Sequence, residues 1–548
     1  MLHTQSRKDG AQGNGAIAAI AILVLFLSAA CTKGHLQETE EERVARERLQ
    51  LLNDSAQDAK QRLGQFLLLA NDSLEADLLV HNYYKKDGEW LWVTDDTTFL
   101  LREADTLASA LADKAVSLGL EPEAFFVPQV KQDIEHLRVL DFDSACVVPV
   151  DAMARLELSL SRAFMRCAVG LRYGFVDPHK AFNSLDPRGG GAFRQVYDIA
   201  TERPTEDFLT ESLHHVRDAM SYLDGLEPTD TIYQLLKQRL ATDTTKVGRK
   251  RAICNMERRR WRHKDAPAGD YKSPPSRYIF VNIPSQQLWA IAKDSVFSMK
   301  ICCGAWATKT PLLYSNVRLI QLNPEWRIPY PIMAAEVSHH AGDSAYFARH
   351  DYFILKNSTG DTINPKSITA DQLRQGGYSV TQHSGPRNAL GRIIFRFPNK
   401  FDVYMHDTNN RRAFNAERRT LSHGCVRVER PFDLAMFLLP NADEWLLDQM
   451  RMTIDLPPES DQGKEYLEKR KEERMAKLLL QDAGSPQQED APIRFMSNQS
   501  VSPTVPVMID YYTLYPNPET GVWETWRDRY EYDDQIMRRL ERYCRPQL

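Results

Sequence analysis

From residue 278 the chain reads Tyr278-Ile279-Phe280-Val281-Asn282-Ile283, a run rich in aromatic and β-branched residues. Such residues fit the pleated, half-buried surface of a strand. Further short runs of this kind follow, with turn residues between them, at 287–291, 296–303, 317–322, 392–397 and 401–406. The pattern predicts a β-sandwich or barrel-like domain from about residue 277 onward.

The region before residue 277 has a helical pattern instead. Apolar residues keep helical spacing from 104 to 118, and Gly119 predicts the end of that helix. A second amphipathic helix is predicted from Leu156 to near residue 170, with Cys167 packing in the core. The chain is therefore predicted to be α+β, with an α-rich part followed by a β-rich part.

Charged stretches occur at three places along the chain. Residues 38–71 are predicted to be a polar stalk or a first helix, and residues 482–492 a polar linker. Helices predicted over 232–261 lead into the β-rich domain and end in the basic cluster 258–260. That cluster is predicted to be a solvated face, with contact to anionic glycan or lipid as the less favoured alternative.

Length and composition limit the possible functions. A chain of 548 residues is too long for a single core, and about three domains are expected. The hydrophobic content of 43% and charged content of 26% are those of a soluble globular protein. A net charge of −5 argues against a nucleic-acid binder. No phosphate-binding or dinucleotide-binding glycine pattern is present, and no cofactor or metal is predicted.

The N-terminus has the features of a secretory signal. Residues 16–30 are apolar except for Ser28, and Arg7 and Lys8 supply a positive start. The segment ends at Cys31 and resembles a bacterial lipobox, although Ser28 stands where leucine is commonest. We expect lipidation of Cys31, with ordinary cleavage at the same place or an uncleaved anchor as alternatives. Each of these places the body of the protein outside the cytoplasm.

Eight cysteines are present. Apart from Cys31 and Cys425, six remain, and their pairing does not follow from the sequence. Cys302 and Cys303 are adjacent in a predicted strand, so they face opposite sides and do not pair with each other. Because a domain of this size does not need disulfides, most of the six are expected to be buried free thiols.

The run Ser422-His423-Gly424-Cys425-Val426-Arg427, with His406 upstream, carries the chemistry. A cysteine attacks as the thiolate, and a nearby histidine promotes that state. Gly424 allows a sharp turn that presents N–H groups to a developing oxyanion. Arg427 offers a fixed fork of donors for a carboxylate.

This motif resembles the active-site signature of the L,D-transpeptidases of the YkuD type. Blocks at 323–329, 385–391, 397–399 and 428–435 extend the resemblance, most closely to the large YcbB-like subgroup with an N-terminal scaffold domain. The implied fold is an α-rich scaffold domain followed by a β-rich catalytic domain with an inserted capping subdomain. The implied divisions are a lipoprotein-type signal peptide (1–31), a polar helical stalk (32–71), the scaffold domain (72–245), a linker helix and loop (246–276), the catalytic domain (277–548), its capping insertion (331–383), and a charged helix with linker (458–500).

The resemblance implies formation of 3→3 cross-links between the stem peptides of peptidoglycan. Cys425 attacks the third residue of a tetrapeptide stem, the terminal D-amino acid leaves, and a neighbouring stem's amine resolves the thioester. Water in place of that amine gives L,D-carboxypeptidase activity. A catalytically inactive wall-binding scaffold lipoprotein and another kind of cysteine peptidase are the rival hypotheses. The expected partners are stem peptides and, through the lipid, a membrane of the cell envelope.

The resemblance also assigns roles to individual residues. His406 is expected to be the general base, oriented by the backbone carbonyl of Asp407, while His423 is a supporting group. Gly424 is expected to supply an oxyanion N–H, and Arg427 holds either the local loop or a stem carboxylate.

A second set of residues is expected at the substrate groove. These residues are Tyr404, Trp326, Asn388 and Ser422. For Trp326 and Asn388, core packing or turn formation is an equally weighted alternative. The four histidines in or near the insertion are read as surface or packing residues: His339, His340, His350 and His383.

Overall fold

The structure is a computed structural model that describes residues 39–40, 43, 46, 58–68, 74–92, 97–139, 149–187, 191–264, 275–479, 492–541 and 543. The predicted signal peptide with Cys31, two further cysteines, Cys146 and Cys544, and most of the linker predicted at 482–492 lie outside these residues. None of the helices in the described part of the chain is long and apolar enough to cross a bilayer.

Helices dominate the chain before residue 265, as predicted. The helices of this part are α1 (Glu75–Lys85), α2 (Thr97–Ser117), α3 (Val127–Val139), α4 (Pro149–Tyr173), α5 (Pro178–Phe182), α6 (Glu206–Leu213), α7 (Ala219–Leu226), α8 (Thr231–Thr242) and α9 (Lys246–Arg260). The end of α2 before Gly119, which has a positive φ of 75°, confirms the predicted stop. Cys167 is buried in α4 as a free thiol, also as predicted.

Part of the predicted stalk is a packed helix. Residues 58–68 are helical, and Ala59, Leu63 and Leu67 are buried in the main core. Arg62 donates to the carboxylate of Asp151 in α4 at 2.7 Å. The second of the two alternatives for this stretch, a first helix, is therefore the correct one for residues 58–68.

The β-rich part is a barrel. Its strands and those beside it are β1 (Tyr197–Asp198), β2 (Arg277–Asn282), β3 (Gln287–Ala292), β4 (Ser295–Gly304), β5 (Leu312–Leu322), β6 (Trp326–Arg327), β7 (Tyr352–Lys356), β8 (Thr362–Ile363), β9 (Tyr378–Gln382), β10 (Ile393–Arg396), β11 (Met405–His406), β12 (Thr420–Ser422), β13 (Val426–Val428), β14 (Asn498–Asp510), β15 (Leu514–Pro516) and β16 (Trp523–Thr525). The neighbouring strands run in the order β5-β10-β11-β13-β4-β3-β2-β14, and β14 also pairs with β5. That last pairing closes the ring, which confirms the α+β, barrel-like prediction.

One predicted strand is much shorter than expected. The run at 401–406 contributes only Met405–His406 as β11. The side chain of Asn399 accepts from the backbone N–H groups of Phe401 and Val403 and donates to the carbonyl of Val403. Asp402 has a positive φ of 53°. These contacts fold the segment into a turn, so it does not pair as a strand.

The capping insertion is a small unit with its own core. Strands β6, β9, β7 and β8 form a separate sheet in that order. Its helices are α10 (Tyr330–Ala335), α11 (Ser344–Arg349) and α12 (Ala370–Arg374). Several of its histidines stack on aromatic rings, as expected for packing residues: His340 on Tyr346 and His383 on Phe353.

The remaining helices follow the motif in sequence. They are α13 (Pro431–Leu438), α14 (Glu444–Thr453), α15 (Asp461–Leu479) and α16 (Tyr532–Leu540). Short 3-10 turns occur earlier in the chain, at Pro122–Phe125, Val216–Asp218, Trp306–Thr308, Val337–His340, Pro365–Ser367 and Arg411–Asn415. Beyond β14, the chain returns to the α-rich part. The N–H of Glu121 donates to the carbonyl of Tyr543 at 2.8 Å, and Arg539 donates to the carbonyl of Lys180 at 2.8 Å.

The prediction of a solvated basic face at 258–260 is wrong. Arg258, Arg259 and Arg260 are 2%, 5% and 1% exposed, because α9 is enclosed by its neighbours. Arg258 pairs with Asp533 of α16 at 2.7 Å. Burial acts to lower the pKa of Arg258, but the nearby Asp533, Cys254 and Asp528 together raise that pKa, so the guanidinium stays charged.

The ion pair between Arg258 and Asp533 is expected to be critical for stability. Asp533→Asn leaves a buried guanidinium without a carboxylate, which costs about 3–5 kcal/mol. Urea denaturation followed by circular dichroism measures the loss. Asp371→Asn at an exposed ion pair is the control, and it is expected to leave the midpoint unchanged. Equal midpoints for the two variants would contradict this account of α9.

Candidate active site

Two short strands hold the motif in place. β12 pairs with β4 in parallel and β13 pairs with β4 in the antiparallel sense, so residues 423–425 form the turn between them. Gly424 has a φ of 123°, a conformation that side-chain-bearing residues rarely adopt. The glycine of the motif is therefore required by the backbone of this turn.

Strand register places four candidate residues on one side of the sheet. β11 pairs with β13 in parallel, with Met405 opposite Val426 and His406 opposite Arg427. Met405 and Val426 are buried in the main core. Because side chains alternate along a strand, the four residues that flank them face outward. These residues are Tyr404, His406, Cys425 and Arg427.

Tyr404 contacts both the predicted base and the predicted nucleophile. Its ring lies 5.7 Å from the imidazole of His406 in an edge-to-face arrangement. Hydrogen bonding from its backbone and its hydroxyl acts to lower the pKa of the Cys425 thiol. Burial raises the pKa of Tyr404 itself, so its hydroxyl keeps its proton and remains a donor.

The thiol and the imidazole are both neutral in the resting site. Burial raises the pKa of Cys425 to about 11, although Tyr404 and Arg427 act in the opposite direction. Burial and the charge of Arg427 lower the pKa of His406 to about 4. At neutral pH, His406 is therefore able to accept a proton, and Cys425 still holds one to give.

Backbone carbonyls act on the predicted base. The carbonyls of Asp407 and Leu390 raise the pKa of His406, against the larger effect of burial. The orienting role expected for the Asp407 carbonyl stays a prediction, and Leu390 is a second carbonyl that the sequence did not suggest. Nδ1 of His406 is buried and forms no hydrogen bond of good geometry within the described part of the chain.

The Asp407 side chain has a structural task. Its carboxylate accepts from the N–H of Arg392 at 2.8 Å and lies 3.5 Å from Arg411. A Cβ on Gly391 would come within 2.4 Å of that carboxylate, so glycine is needed there. The side chain thus holds the turn before β10, consistent with the expectation that only the backbone of Asp407 serves His406.

The guanidinium of Arg427 has no anionic partner among the described residues. No carboxylate in the described ranges lies within 4 Å of its guanidinium, and its Nε is buried without a hydrogen bond. Its charge lowers the pKa values of Cys425 and His406. Since it donates to no atom of the motif loop, the structure gives no support to a role in holding that loop, and a role in binding a stem carboxylate stays a prediction.

Ser422 and Gly424 form hydrogen bonds within the motif loop. The Ser422 hydroxyl donates to the carbonyl of Cys425 at 2.5 Å and accepts from the N–H of Gly424 at 3.2 Å. The Gly424 N–H expected to face an oxyanion is therefore engaged here. The N–H of Cys425 forms no hydrogen bond with any described residue, so it is the better oxyanion donor.

A second loop cradles the motif. Thr308 donates to the carbonyl of Ser422 at 2.9 Å, and Thr310 donates to the carbonyl of Gly424 at 2.8 Å. A Cβ on Gly304 would lie 2.1 Å from the carbonyl oxygen of Thr308, so only glycine fits. No pattern in the sequence indicated these contacts, which join residues more than one hundred positions apart.

Residues of the α-rich part bind the second loop, residues 304–310, which we call the cradle. Arg194 donates to the carbonyls of Ala307 at 2.8 Å and Lys309 at 3.2 Å. Lys309 is 2% exposed and pairs with Asp186 at 2.6 Å. Nearby, β1 adds a parallel strand to β5. Asp186 and residues 191–198 therefore support the motif loop from outside the barrel.

His423 points to the capping insertion. Its Nε2 lies 3.1 Å from the carboxylate of Glu336, and both side chains are about half exposed. In the structure, His423 therefore connects the motif loop to the cap. Among the described residues, His423 forms a hydrogen bond with Glu336 and none with the thiol of Cys425.

Asn388 and Trp326 have different surroundings. Asn388 is 1% exposed, donates to the carbonyls of Pro324 and His383, and accepts from the N–H of Leu390. These contacts favour turn formation over substrate contact. Trp326 pairs with Gln382 in the cap sheet and packs against the cap core, so its place at a groove stays a prediction.

Among the buried cysteines, the adjacent pair behaves as predicted. Cys303 lies in the main core, whereas Cys302 packs with Ala413 and Phe414 in a separate cluster. Both are free. Their opposite orientation confirms that they do not bond to each other.

Comparisons with known proteins agree with the motif. Residues 276–450 match the family model for the YkuD L,D-transpeptidase catalytic domain, and residues 77–240 match the Scaffold domain model. A Haemophilus influenzae protein, named provisionally as an L,D-transpeptidase, is 36% identical over 167 residues. The match covers 30% of this chain and 34% of that protein, so it spans about a third of the relative's length.

Two solved structures are also similar over part of the chain. Mycobacterium tuberculosis L,D-transpeptidase 1 has 13% identity and a TM-score of 0.14, covering 30% of this chain and 55% of that one. The Ldtfm–avibactam carbamoyl enzyme has 14% identity and a TM-score of 0.16, covering 29% and 43%. Because these TM-scores are low, the family assignment depends on the two domain models and the curated relative.

The neutral state of the thiol predicts its reactivity. With the pKa of Cys425 near 11, alkylation by iodoacetamide is expected to rise about tenfold per pH unit between pH 7 and 10. Peptide mass spectrometry reports modification at this residue alone. A rate that levels off near pH 7 would show a stable thiolate–imidazolium pair and contradict the assigned state.

The support given by Arg194 is testable without an activity assay. Arg194→Ala removes two charge-assisted hydrogen bonds, each worth about 1.5–3 kcal/mol, from the cradle. Amide hydrogen exchange in residues 304–310 and 422–426 is expected to accelerate at least tenfold. Arg217→Ala, an exposed arginine of the α-rich part, is the control. Unchanged exchange in both segments would exclude the supporting role.

Proposed function

We propose that this protein forms 3→3 cross-links between peptidoglycan stem peptides. The chain belongs to the YkuD-type L,D-transpeptidases and carries a Scaffold domain before its catalytic domain. The observation that carries the proposal is the shared outer face of β11 and β13. On that face a proton-accepting His406, a thiol at Cys425 and a cation at Arg427 lie together.

The first half of the reaction acylates the enzyme. The sulfur of Cys425 attacks the carbonyl carbon of the third stem residue, and His406 takes the thiol proton. The resulting oxyanion is stabilised by the Cys425 N–H. When the tetrahedral intermediate collapses, the bond to the terminal D-amino acid breaks. His406 returns the proton to the departing amine, which leaves a thioester.

The neutral resting pair determines the timing of proton transfer. Since the thiol pKa lies far above that of the imidazole, a free thiolate is unfavourable before substrate binds. The proton must therefore move as the sulfur–carbon bond forms, when negative charge passes from sulfur to the carbonyl oxygen. The positive charge of Arg427 favours that transition state over the neutral ground state.

The second half of the reaction transfers the acyl group. The side-chain amine of a neighbouring stem attacks the thioester, His406 accepts a proton from that amine, and the sulfur leaves. The product is an amide between two third residues, and the thiol is restored. If water attacks instead, the same residues perform L,D-carboxypeptidase chemistry, which is the alternative function of this site.

The contact between His423 and Glu336 supports a role for the cap in this chemistry. It joins the loop that carries the nucleophile to the insertion at 331–383. Lids of this kind commonly exclude water while a reactive intermediate exists. Exclusion of water would favour transfer to an amine over hydrolysis of the thioester.

Lipidation at Cys31 and attachment to a membrane of the cell envelope remain part of the proposal. They rest on the leader sequence alone, which lies outside the described residues. Attachment would hold the catalytic domain at a fixed reach from the membrane surface.

The proposed function is tested with disaccharide-tetrapeptides. The full chain is expected to release the terminal D-amino acid and form dimers, while Cys425→Ala does neither, because Cys302, the described thiol opposite Arg427 on β4, is fully buried against Ala413 and Phe414. Mass spectrometry reads both products. Circular dichroism confirms that the variant is folded.

Each outcome has a distinct meaning for the function. Release without dimers would replace cross-linking by carboxypeptidase activity. Activity retained by Cys425→Ala would refute the nucleophile. No product from either protein, together with no carbapenem adduct on Cys425, would favour the inactive scaffold hypothesis.

A further inference from the structure

An open cavity of about 320 Å³ lies beside Tyr404, on the side away from Arg427. Arg318 of β5 and Arg396 of β10 belong to its lining, together with Asp402. The cavity shares Tyr404 with the catalytic face, so a ligand in it lies next to the nucleophile.

Register explains why Arg396 faces this cavity. On β10, Phe395 pairs with Met405 and points into the barrel, so the next residue, Arg396, points outward. Its guanidinium lies 5.3 Å from the centre of the Tyr404 ring. Arg396 therefore extends the outer face that carries His406 and Cys425.

Both guanidinium groups lack a carboxylate partner. In the ranges that the structure describes, no carboxylate oxygen lies within 4 Å of either one. Arg396 donates only to the neutral amide oxygen of Gln321, at 2.8 Å. Asp402 lines the same cavity without pairing to them, so two positive charges face one negative charge there.

The floor of the cavity is built by a fixed turn. The amide of Asn399 bridges the carbonyls of Phe397 and Val403 and accepts two backbone N–H groups of the same turn. A rigid turn keeps the space open at little cost in conformational entropy on binding. The cavity is therefore preformed.

The positive charge of Arg396 acts on the thiol of Cys425. It lowers the pKa of the Cys425 thiol, as Arg427 does from the other flank. An anion bound at Arg396 would therefore be held close to the reacting sulfur. A stem peptide carries free carboxylates near the carbonyl that is attacked, so a substrate group of the right charge is available.

We propose that the cavity formed by Arg318, Arg396 and Tyr404 binds a free carboxylate of the stem peptide, which makes the enzyme selective for acidic over amidated stems. The proposal rests on the proposed function and adds the chemistry by which the site selects its substrate. Arg396, which lies between the thiol and Arg318, contributes most of the selectivity. Two sources supply this carboxylate: the second residue of the stem or the third.

Kinetics with matched stems test the subsite. Three tetrapeptide stems are compared: one with both carboxylates free, one amidated at the second residue and one amidated at the third. For the full-length wild-type protein, amidation of the recognised carboxylate is expected to lower kcat/KM about tenfold or more, mainly through KM. The stem that shows the loss identifies the source.

Variants separate a binding role from a structural one. Arg396→Gln is expected to lose the preference for the free acid, so that its kcat/KM values for the free and the amidated stems become equal. Arg396→Lys restores part of that preference, because it keeps the charge but not the fork. Arg217→Gln, at an exposed arginine of the Scaffold domain, is the control and keeps the full preference.

The other outcomes overturn the inference or its premise. Equal loss on all stems in Arg396→Gln would show a structural role, and an unchanged preference would exclude this cavity. A wild-type enzyme that uses all three stems equally would refute the subsite while leaving the proposed function intact. A wild-type enzyme that uses none of them would refute the proposed function, and the inference would fall with it.

Discussion

The pairing of β14 with both β2 and β5 is the constraint on which the rest of the structure depends. It closes the barrel, and a closed barrel has no free edge along which strands can slip. Side chains that fill the interior, such as Phe395, Met405 and Val426, then fix the register. A slip of one residue would turn Cys425 and His406 inward, so the chemistry depends on this closure.

Local patterns made most of the barrel predictable. The strands at 278–283 and 296–303 have compositions that match their environment, and the motif around Cys425 has few other interpretations. The errors arose where distant partners decide the outcome. The arginines at 258–260 look like a solvated face until Asp533 is known to meet them. The turn at 399–403 resembles a strand until the amide of Asn399 is seen to fold it.

The catalytic face combines a neutral pair with an excess of positive charge. Burial keeps both Cys425 and His406 uncharged, while Arg427 and Arg396 lie on either side of them. The sequence predicted which residues form the pair but not their charge state, because burial depends on the whole fold. Nor did it reveal that Arg194, far away in the chain, supports the loop through the cradle.

The return of the chain from β14 to the α-rich part has a consequence for folding. The carboxylate that neutralises Arg258 and the strand that completes the sheet beside β2 both come from the last part of the chain. As the polypeptide is synthesised from its N-terminus, neither half is able to finish its core alone. The two halves are therefore expected to consolidate together in one late step. Until then, the barrel would lack its last strand and Arg258 would lack its carboxylate partner, so this part of the chain would be accessible to proteases and chaperones.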